Sequence, residues 1–378
     1  MISSRQGSER VVKNGLLAAV LFLLISLSVS IHAGQKLKTE NVILVTIDGF
    51  RWQEIFSGPD SLLLHSEKYC DDIEALRAEF WHPDPAVRRE KLLPFFWSVI
   101  GEKGQLYGNR KKGSVAYLTN PHIFSYPGYT EILVGYVDTN MDSNAKRWNP
   151  NRTVLEFVND LPRFRGKVAA FCSWDVFPYI INSKRSGIPV SVGDGPPQGI
   201  ELSQTEAVLY QLQQQIPPPW GSVRWDAITY HLAFHYLKQN RPRLLYIAFD
   251  ETDDYAHDGK YGHYLRSAHK TDSYLSTLWS WIQSDRRYRN RTTLIITTDH
   301  GRGESPLDSW RNHGDEVEGA EEVWIAVVGP DTPAHGEIQD QPPVFSNQIA
   351  ASVAALLGLT YASVRPTGVV MQSLFTDE

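Results

Sequence analysis

Apolar, β-rich runs recur along this chain, and several of them end on residues that can ligate a metal ion. Asp48 closes Asn41-Val-Ile-Leu-Val-Thr-Ile47, Asp253 and His257 follow Leu244-Leu-Tyr-Ile-Ala-Phe249, and Asp299 with His300 closes Thr293-Leu-Ile-Ile-Thr-Thr298. His313 stands thirteen residues beyond His300, in Arg311-Asn-His-Gly314. Further runs lie near 115–119, 168–172 and 323–328. Helix-like stretches fall between the runs, at Leu92–Gly101, Thr153–Leu161, Thr205–Gln215, Trp225–Asn240 and Tyr264–Ser284. Thr153 with Glu156 three residues on has the pattern of a capping box. Ser346–Leu359 reads as an apolar helix expected to pack on the sheet. This alternation predicts an α/β fold of three layers, a largely parallel central sheet with helices on both faces. Sites in such folds lie beyond the carboxyl ends of the strands. Three carboxylates and three imidazoles placed at strand ends therefore predict a site for two metal ions.

Two segments interrupt the alternation. Residues 185–224 crowd Gly187, Pro189, Gly193, Gly195, Pro196, Pro197 and Gly199 ahead of Pro217-Pro-Pro-Trp-Gly221, and are expected to be an inserted, mostly irregular segment near the active face. Residues 57–90, rich in charge, are expected to be a second insertion. Trp81 and Trp220 in these segments are candidates to meet an apolar or nucleoside group.

The amino end has its own logic. Arg5, Arg10 and Lys13 precede an uncharged apolar stretch, Gly15 to Ile31, and Ser30-Ile-His-Ala33 offers a small residue before Gly34. Residues 1–33 thus read as a secretory signal peptide or an N-terminal anchor, and residues 38–378 as one catalytic domain, exported to a periplasmic or extracellular space. Removing 1–33 takes away three basic residues and Glu9, moving the net charge from −6 to −8. An acidic chain without a basic block is a poor binder of nucleic acid, and a membrane partner is expected only if the amino-terminal segment stays uncleaved. Cys70 and Cys172 show no C-x-x-C pattern; they are free to pair in an oxidising compartment or to stand as buried thiols.

The chemistry is sharpest where residue types combine. Asp48-Gly49 fits a ligand on a tight turn. Asp253 and His257 share one face if helical, with Asp250 and Asp254 as rival carboxylates. Asp299-His-Gly-Arg302 places a charged pair directly after an apolar strand, where burial demands a partner charge. In Phe124-Ser-Tyr-Pro-Gly-Tyr-Thr130, Ser125 stands just before an apolar helix, where backbone amides favour an anion. Carboxylates mixed with imidazoles suit Zn²⁺, and oxygen-rich sets shift toward Mn²⁺ or Mg²⁺.

In this order the residues resemble the alkaline phosphatase superfamily, in particular its nucleotide pyrophosphatase/phosphodiesterase and phosphate-irrepressible alkaline phosphatase branches. The resemblance runs from Asp48 to His313. It implies that Asp48, Ser125, Asp299 and His300 hold one zinc and that Asp253, His257 and His313 hold the other. It further implies hydrolysis of a small phosphate ester through a phosphoseryl intermediate on Ser125. Asn144 fits the position of a phosphoryl-oxygen contact, with Asn140 and Asn149 as rivals. Arg185, in Asn182-Ser-Lys-Arg-Ser186, fits a phosphate-binding arginine, although Ser183 stands where the monoesterase branch has lysine. The resemblance leaves a phosphodiesterase beside a monoesterase, a sulfatase, and a phospho-group transferase at a membrane surface as related readings. A sulfatase would carry Arg where this chain has Tyr129. A cofactor-independent phosphoglycerate mutase fits poorly with an export signal. A metal-stabilised binding protein without turnover is the non-enzymatic alternative.

Overall fold

The structure is a computed structural model, and it describes residues 37–193 and 202–375. The expected signal segment lies outside the described residues. The described residues form eleven strands: β1 (Asn41–Ile47), β2 (Gln105–Tyr107), β3 (Ala116–Tyr117), β4 (Val168–Cys172), β5 (Val190–Ser191), β6 (Leu244–Phe249), β7 (Thr292–Thr297), β8 (Glu322–Val323), β9 (Ile325–Val328), β10 (Gly336–Glu337) and β11 (Val344–Phe345). Eight of them make one sheet in the order β10-β2-β9-β7-β1-β6-β4-β5. Its pairings are parallel except where β9 meets β2 and β7. The α/β architecture with a mostly parallel central sheet is therefore as the alternation predicts.

All seven residues of β1 are buried, as are the six of β6 and the six of β7. Continuous apolar runs are what a parallel strand covered on both faces requires. The register aligns their ends: Ile47 pairs with Phe249, and Thr46 pairs with both Ala248 and Thr297. Continuing that register brings Asp48, Asp250 and Asp299 to one level at the carboxyl edge of the sheet. Glycine at position 49 follows from the crowding there. It has φ +55°, and a Cβ would lie 2.7 Å from Arg302 Nη2 and 2.9 Å from Asp253 Oδ1.

Several expected elements differ in detail. The run at 115–119 forms only the short β3, in a separate three-stranded sheet ordered β11-β3-β8. The run at 323–328 is split by Trp324 between that sheet and the main one. Within Leu92–Gly101, residues Phe96–Ile100 wind as a π turn. Thr153 caps its helix by accepting the Glu156 N–H at 3.2 Å, but the Glu156 carboxylate turns to Arg185, so only half the box forms. The Ile349–Leu356 helix packs chiefly on the Ser125–Val134 and Val154–Asp160 helices rather than on the sheet. Segment 57–90 contains the Ser61–Leu64, Ile73–Phe80 and Pro85–Leu92 helices, each capped by an aspartate, Asp60, Asp72 and Asp84. Segment 185–224 holds the 12-residue helix Gln204–Gln215, started by a complete capping box of Ser203 and Glu206. Cys70 and Cys172 are both buried and unpaired. No helix of the described residues is long and apolar enough to cross a membrane.

Candidate active site

At the carboxyl edge of the sheet the side chains of Asp48, Ser125, Asp253, His257, Asp299, His300 and His313 form one contiguous cluster. His300 is at its centre, fully buried. Its Nε2 lies 3.3 Å from Asp48 Oδ1, 3.5 Å from Asp299 Oδ2, 3.7 Å from Asp253 Oδ1 and 3.4 Å from Ser125 Oγ. Its Nδ1 is 2.9 Å from the Gly301 carbonyl, which can only accept, so Nδ1 carries the hydrogen. His313 is oriented in the same way, with Nδ1 3.3 Å from the Ile123 carbonyl and Nε2 3.8 Å from Asp253 Oδ1. His257 completes the outer side, its Nε2 3.2 Å from Asp253 Oδ2 and 3.1 Å from His313 Nε2. The helix Glu251–His257 puts Asp253 and His257 on one face, as their spacing requires.

Among the described residues, two trios satisfy the distances a cation needs: Asp48, Asp299 and His300; and Asp253, His300 and His313. The first trio has a deficit that a cation would answer. Asp48 Oδ1 and Asp299 Oδ2 are buried with no hydrogen-bond partner among the described residues. Burial, then the neighbouring Asp48, pushes the Asp299 carboxyl far above the usual range. Burial opposes a charge on His300, but Asp299, Asp48 and Asp253 outweigh it and push the imidazole up to about 9. Burial and then His300 push His313 down to about 2. Buried carboxylates with unspent oxygens, facing imidazole nitrogens whose opposite nitrogens are tied to carbonyls, are a donor set that fits divalent cations. Asp250 and Asp254 join neither trio. Burial followed by Asp48 pushes Asp250 up, and burial followed by Asp253 pushes Asp254 up to about 8.

Residues not assigned a supporting role from the sequence hold this cluster in place. Tyr129 Oη donates to Asp48 Oδ2 at 2.7 Å, and the Gly49 N–H donates to Asp299 Oδ1 at 3.1 Å. Arg302 is fully buried, ion-paired to Asp253 and donating to the carbonyls of Gly49 at 3.0 Å and Arg311 at 2.8 Å. Burial works against the Asp253 charge, but Arg302, then His257, hold its carboxyl well below the usual range. The only signals for these roles were the position of Tyr129 one helical turn after Ser125 and that of Arg302 two residues after His300.

Ser125 opens the ten-residue Ser125–Val134 helix. The backbone leading into it is strained, since Ile123, a β-branched residue, has φ +52°. Gly128 lets the helix lie on the Asp299 backbone: a Cβ there would be 2.4 Å from the Asp299 carbonyl oxygen. Asn144 Oδ1 accepts the Tyr126 N–H at 3.0 Å, which brings its amide to the start of this helix. Its rivals are spent elsewhere: Asn140 Nδ2 donates to Asp138, and Asn149 Nδ2 to Thr130.

Arg185 is not free for phosphate, contrary to the expectation. Its Nε and Nη2 donate to the Glu156 carboxylate at 2.8 Å each, and its remaining N–H groups reach the carbonyls of Asn149, Pro150 and Asn151. The guanidinium is a brace between two segments. Trp220 packs on Tyr255, on the helix that carries Asp253, whereas Trp81 packs against His65 and Arg88.

No family profile matches the chain, and no curated protein matches it in sequence. Solved structures do match in fold. The alkaline phosphatase PafA superposes with a TM-score of 0.61 over 91% of this chain and 100% of its own, at 9% identity. BT1596, a 2-O GAG sulfatase, matches with a TM-score of 0.56 over 89% of this chain and 74% of its own, at 10% identity. The phosphonate monoester hydrolase SpPMH from Silicibacter pomeroyi gives 0.53 over 89% and 76%, also at 10% identity. The chain thus has the alkaline phosphatase-like fold.

Proposed function

We propose that this protein is an exported phosphate-ester hydrolase in which Ser125 is the nucleophile and two divalent cations, most simply Zn²⁺, are held by the strand-end cluster. The observation that carries the reading is the placement of Ser125 Oγ, at the start of a helix and 3.4 Å from His300 Nε2, beside two buried carboxylates with unspent oxygens. Asp48, Ser125, Asp299 and His300 would hold one ion; Asp253, His257 and His313 would hold the other. Cations bound there supply the positive charge that ionises a serine hydroxyl near neutral pH and steadies a departing oxygen.

The chain's own residues do the rest. Ser125 Oγ forms a bond to phosphorus as the bond to the leaving oxygen breaks, giving a phosphoserine. Water then attacks phosphorus as the bond to Ser125 Oγ breaks, which restores the hydroxyl and releases phosphate from a monoester substrate or a phosphate monoester from a diester. The positive end of the Ser125–Val134 helix faces the charge that builds on the phosphoryl oxygens. Asn144 keeps its Nδ2 for a non-bridging oxygen, because its Oδ1 is engaged by Tyr126. Tyr129 and Arg302 keep Asp48 and Asp253 in place. With Arg185 committed to Glu156, the extra cation that a dianionic monoester calls for is missing from the expected position. We therefore favour a diester or nucleotide-like substrate, with Trp220 and Tyr255 as a surface for an apolar or planar leaving group.

The test is a panel of p-nitrophenyl phosphate, bis-p-nitrophenyl phosphate and p-nitrophenyl sulfate, run with metal analysis on the wild type and Ser125→Ala. Phosphate-ester turnover that Ser125→Ala abolishes while bound metal stays near the wild-type level supports the reading. Preferred sulfate cleavage would replace it with the sulfatase reading. Metal without hydrolysis of any ester would leave a binding protein.

A further inference from the structure

The opposite end of the sheet holds a second charged site, of the other sign. A cavity of about 470 Å³ opens where the parallel strands begin, and six arginines and one lysine line it. Lys167 stands directly before β4, Arg243 directly before β6 and Arg291 directly before β7, so the strands deliver them side by side. Arg241 and Arg163 flank them, and Arg286 and Arg287 complete the rim.

Little of this charge is neutralised. Glu40 accepts Arg291 Nη1 at 2.8 Å and lies 4.0 Å from Arg243; Asp285 accepts Arg241 Nη1 at 2.6 Å. Lys167, Arg286 and Arg287 are exposed, and none has a side-chain hydrogen bond or ion pair among the described residues. Such a concentration of cations stands out on a chain whose net charge is −6. Guanidinium groups converging on a concave surface match the oxygens of phosphate in paired, planar hydrogen bonds. Strands of six or seven residues put this cavity roughly 20 Å from the serine, at about 3.3 Å per residue.

We propose that this cavity is a binding site for a phosphate-bearing anion, separate from the active site and not used in hydrolysis. Its two natural sources are the headgroups of an anionic phospholipid surface and a soluble phosphate. One sequence feature favours the lipid. Glu40 lines the cavity, and the apolar stretch ends at Ile31, nine residues earlier. The apolar stretch and the cavity are thus close along the chain, as a lipid source would need.

The experiment compares the full chain with the variant Lys167→Glu, Arg286→Glu, Arg287→Glu. In one arm, co-flotation with phosphatidylcholine vesicles is measured with and without phosphatidylglycerol; the difference between the two compositions is the readout, which cancels any binding by the apolar stretch. In the other arm, inorganic phosphate is titrated by calorimetry. At least a tenfold phosphatidylglycerol-dependent enrichment that the variant loses supports the site with lipid as its source. One class of phosphate binding lost in the variant, with no vesicle preference, supports it with a soluble source. Equal behaviour of both proteins in both arms overturns it. Hydrolysis of bis-p-nitrophenyl phosphate should be the same in both proteins, which shows that the variant is folded and keeps this inference apart from that on Ser125. If that control fails, Arg286→Gln with Arg287→Gln repeats the comparison.

Discussion

The smallest unit of this site is a carboxylate with a neighbour that fixes one of its oxygens. Tyr129 takes Asp48 Oδ2 and Gly49 N–H takes Asp299 Oδ1, so in each case one oxygen is left over, pointing at His300. Partners of this kind set ligand orientation, and their loss costs about 10–100-fold in metal affinity. Tyr129→Phe should therefore weaken metal retention by about that factor in a chelator competition, with about 1 kcal/mol lost in stability for the hydrogen bond. Retention equal to wild type would remove Tyr129 from the support of Asp48. Arg302 presents a harder case, because it is a buried charge paired with a buried charge. Removing one partner leaves the other uncompensated, so Arg302→Ala should lose about 3–5 kcal/mol in urea unfolding of the metal-free protein. The thiols are predicted to be silent. Burial pushes Cys70 up to about 11 and Cys172 well above the usual thiol range. Since the thiolate is the reactive form, alkylation by iodoacetamide at pH 7.5 should wait for unfolding, and rapid labelling of native protein would contradict their burial.

Among the elements, the Ser125–Val134 helix matters most, because it sets the distance between the serine and the strand ends. Gly128 is its point of closest approach to Asp299. Gly128→Ala would force the helix off that backbone, and a misplacement of about 1 Å at a reacting group costs about a hundredfold. The expected outcome is a comparable fall in kcat with bound metal reduced by no more than the one ion proposed to touch Ser125; unchanged kcat would show that the helix can give way. The strand-end aspartates and histidines were readable in the sequence for a simple reason. An unbroken apolar run that stops at Asp or Asp-His marks both a buried strand and its edge. Arg185 was misread because its partner, Glu156, is distant in sequence and seemed committed to a capping box. Tyr129 and Arg302 were passed over because the groups they serve lie on other strands, so only the parallel register of β1, β6 and β7 reveals the pairing. The short β3 was overestimated because an apolar run does not disclose which sheet will accept it.

For the whole molecule, charge is sorted along the strand axis. Unspent carboxylates gather where the strands end, and cations where they begin. Divalent ions that bind the folded state alone should raise its stability by about 2.7 kcal/mol at roughly a hundredfold excess over Kd. At about 2.1 cal/mol/K of unfolding entropy per residue over roughly 340 residues, that corresponds to a Tm about 4 °C higher, and thermal melts with and without chelator measure it. A chelator-insensitive melt would mean that the carboxylates tolerate one another without an ion.

One strand, β1, spans the distance between the two charged regions. Asn41, its first residue, lines the cationic cavity, and Asp48 follows its last. It is laddered to a neighbour along each edge, and neither side offers it room to slide. A rod clamped in this way is a poor lever: what is captured at its tail cannot easily be felt at its tip. If the proposed cationic site captures a surface, capture and turnover would be independent dials, and directing this protein to a different surface would call for new charges at one pole only, with the other left untouched.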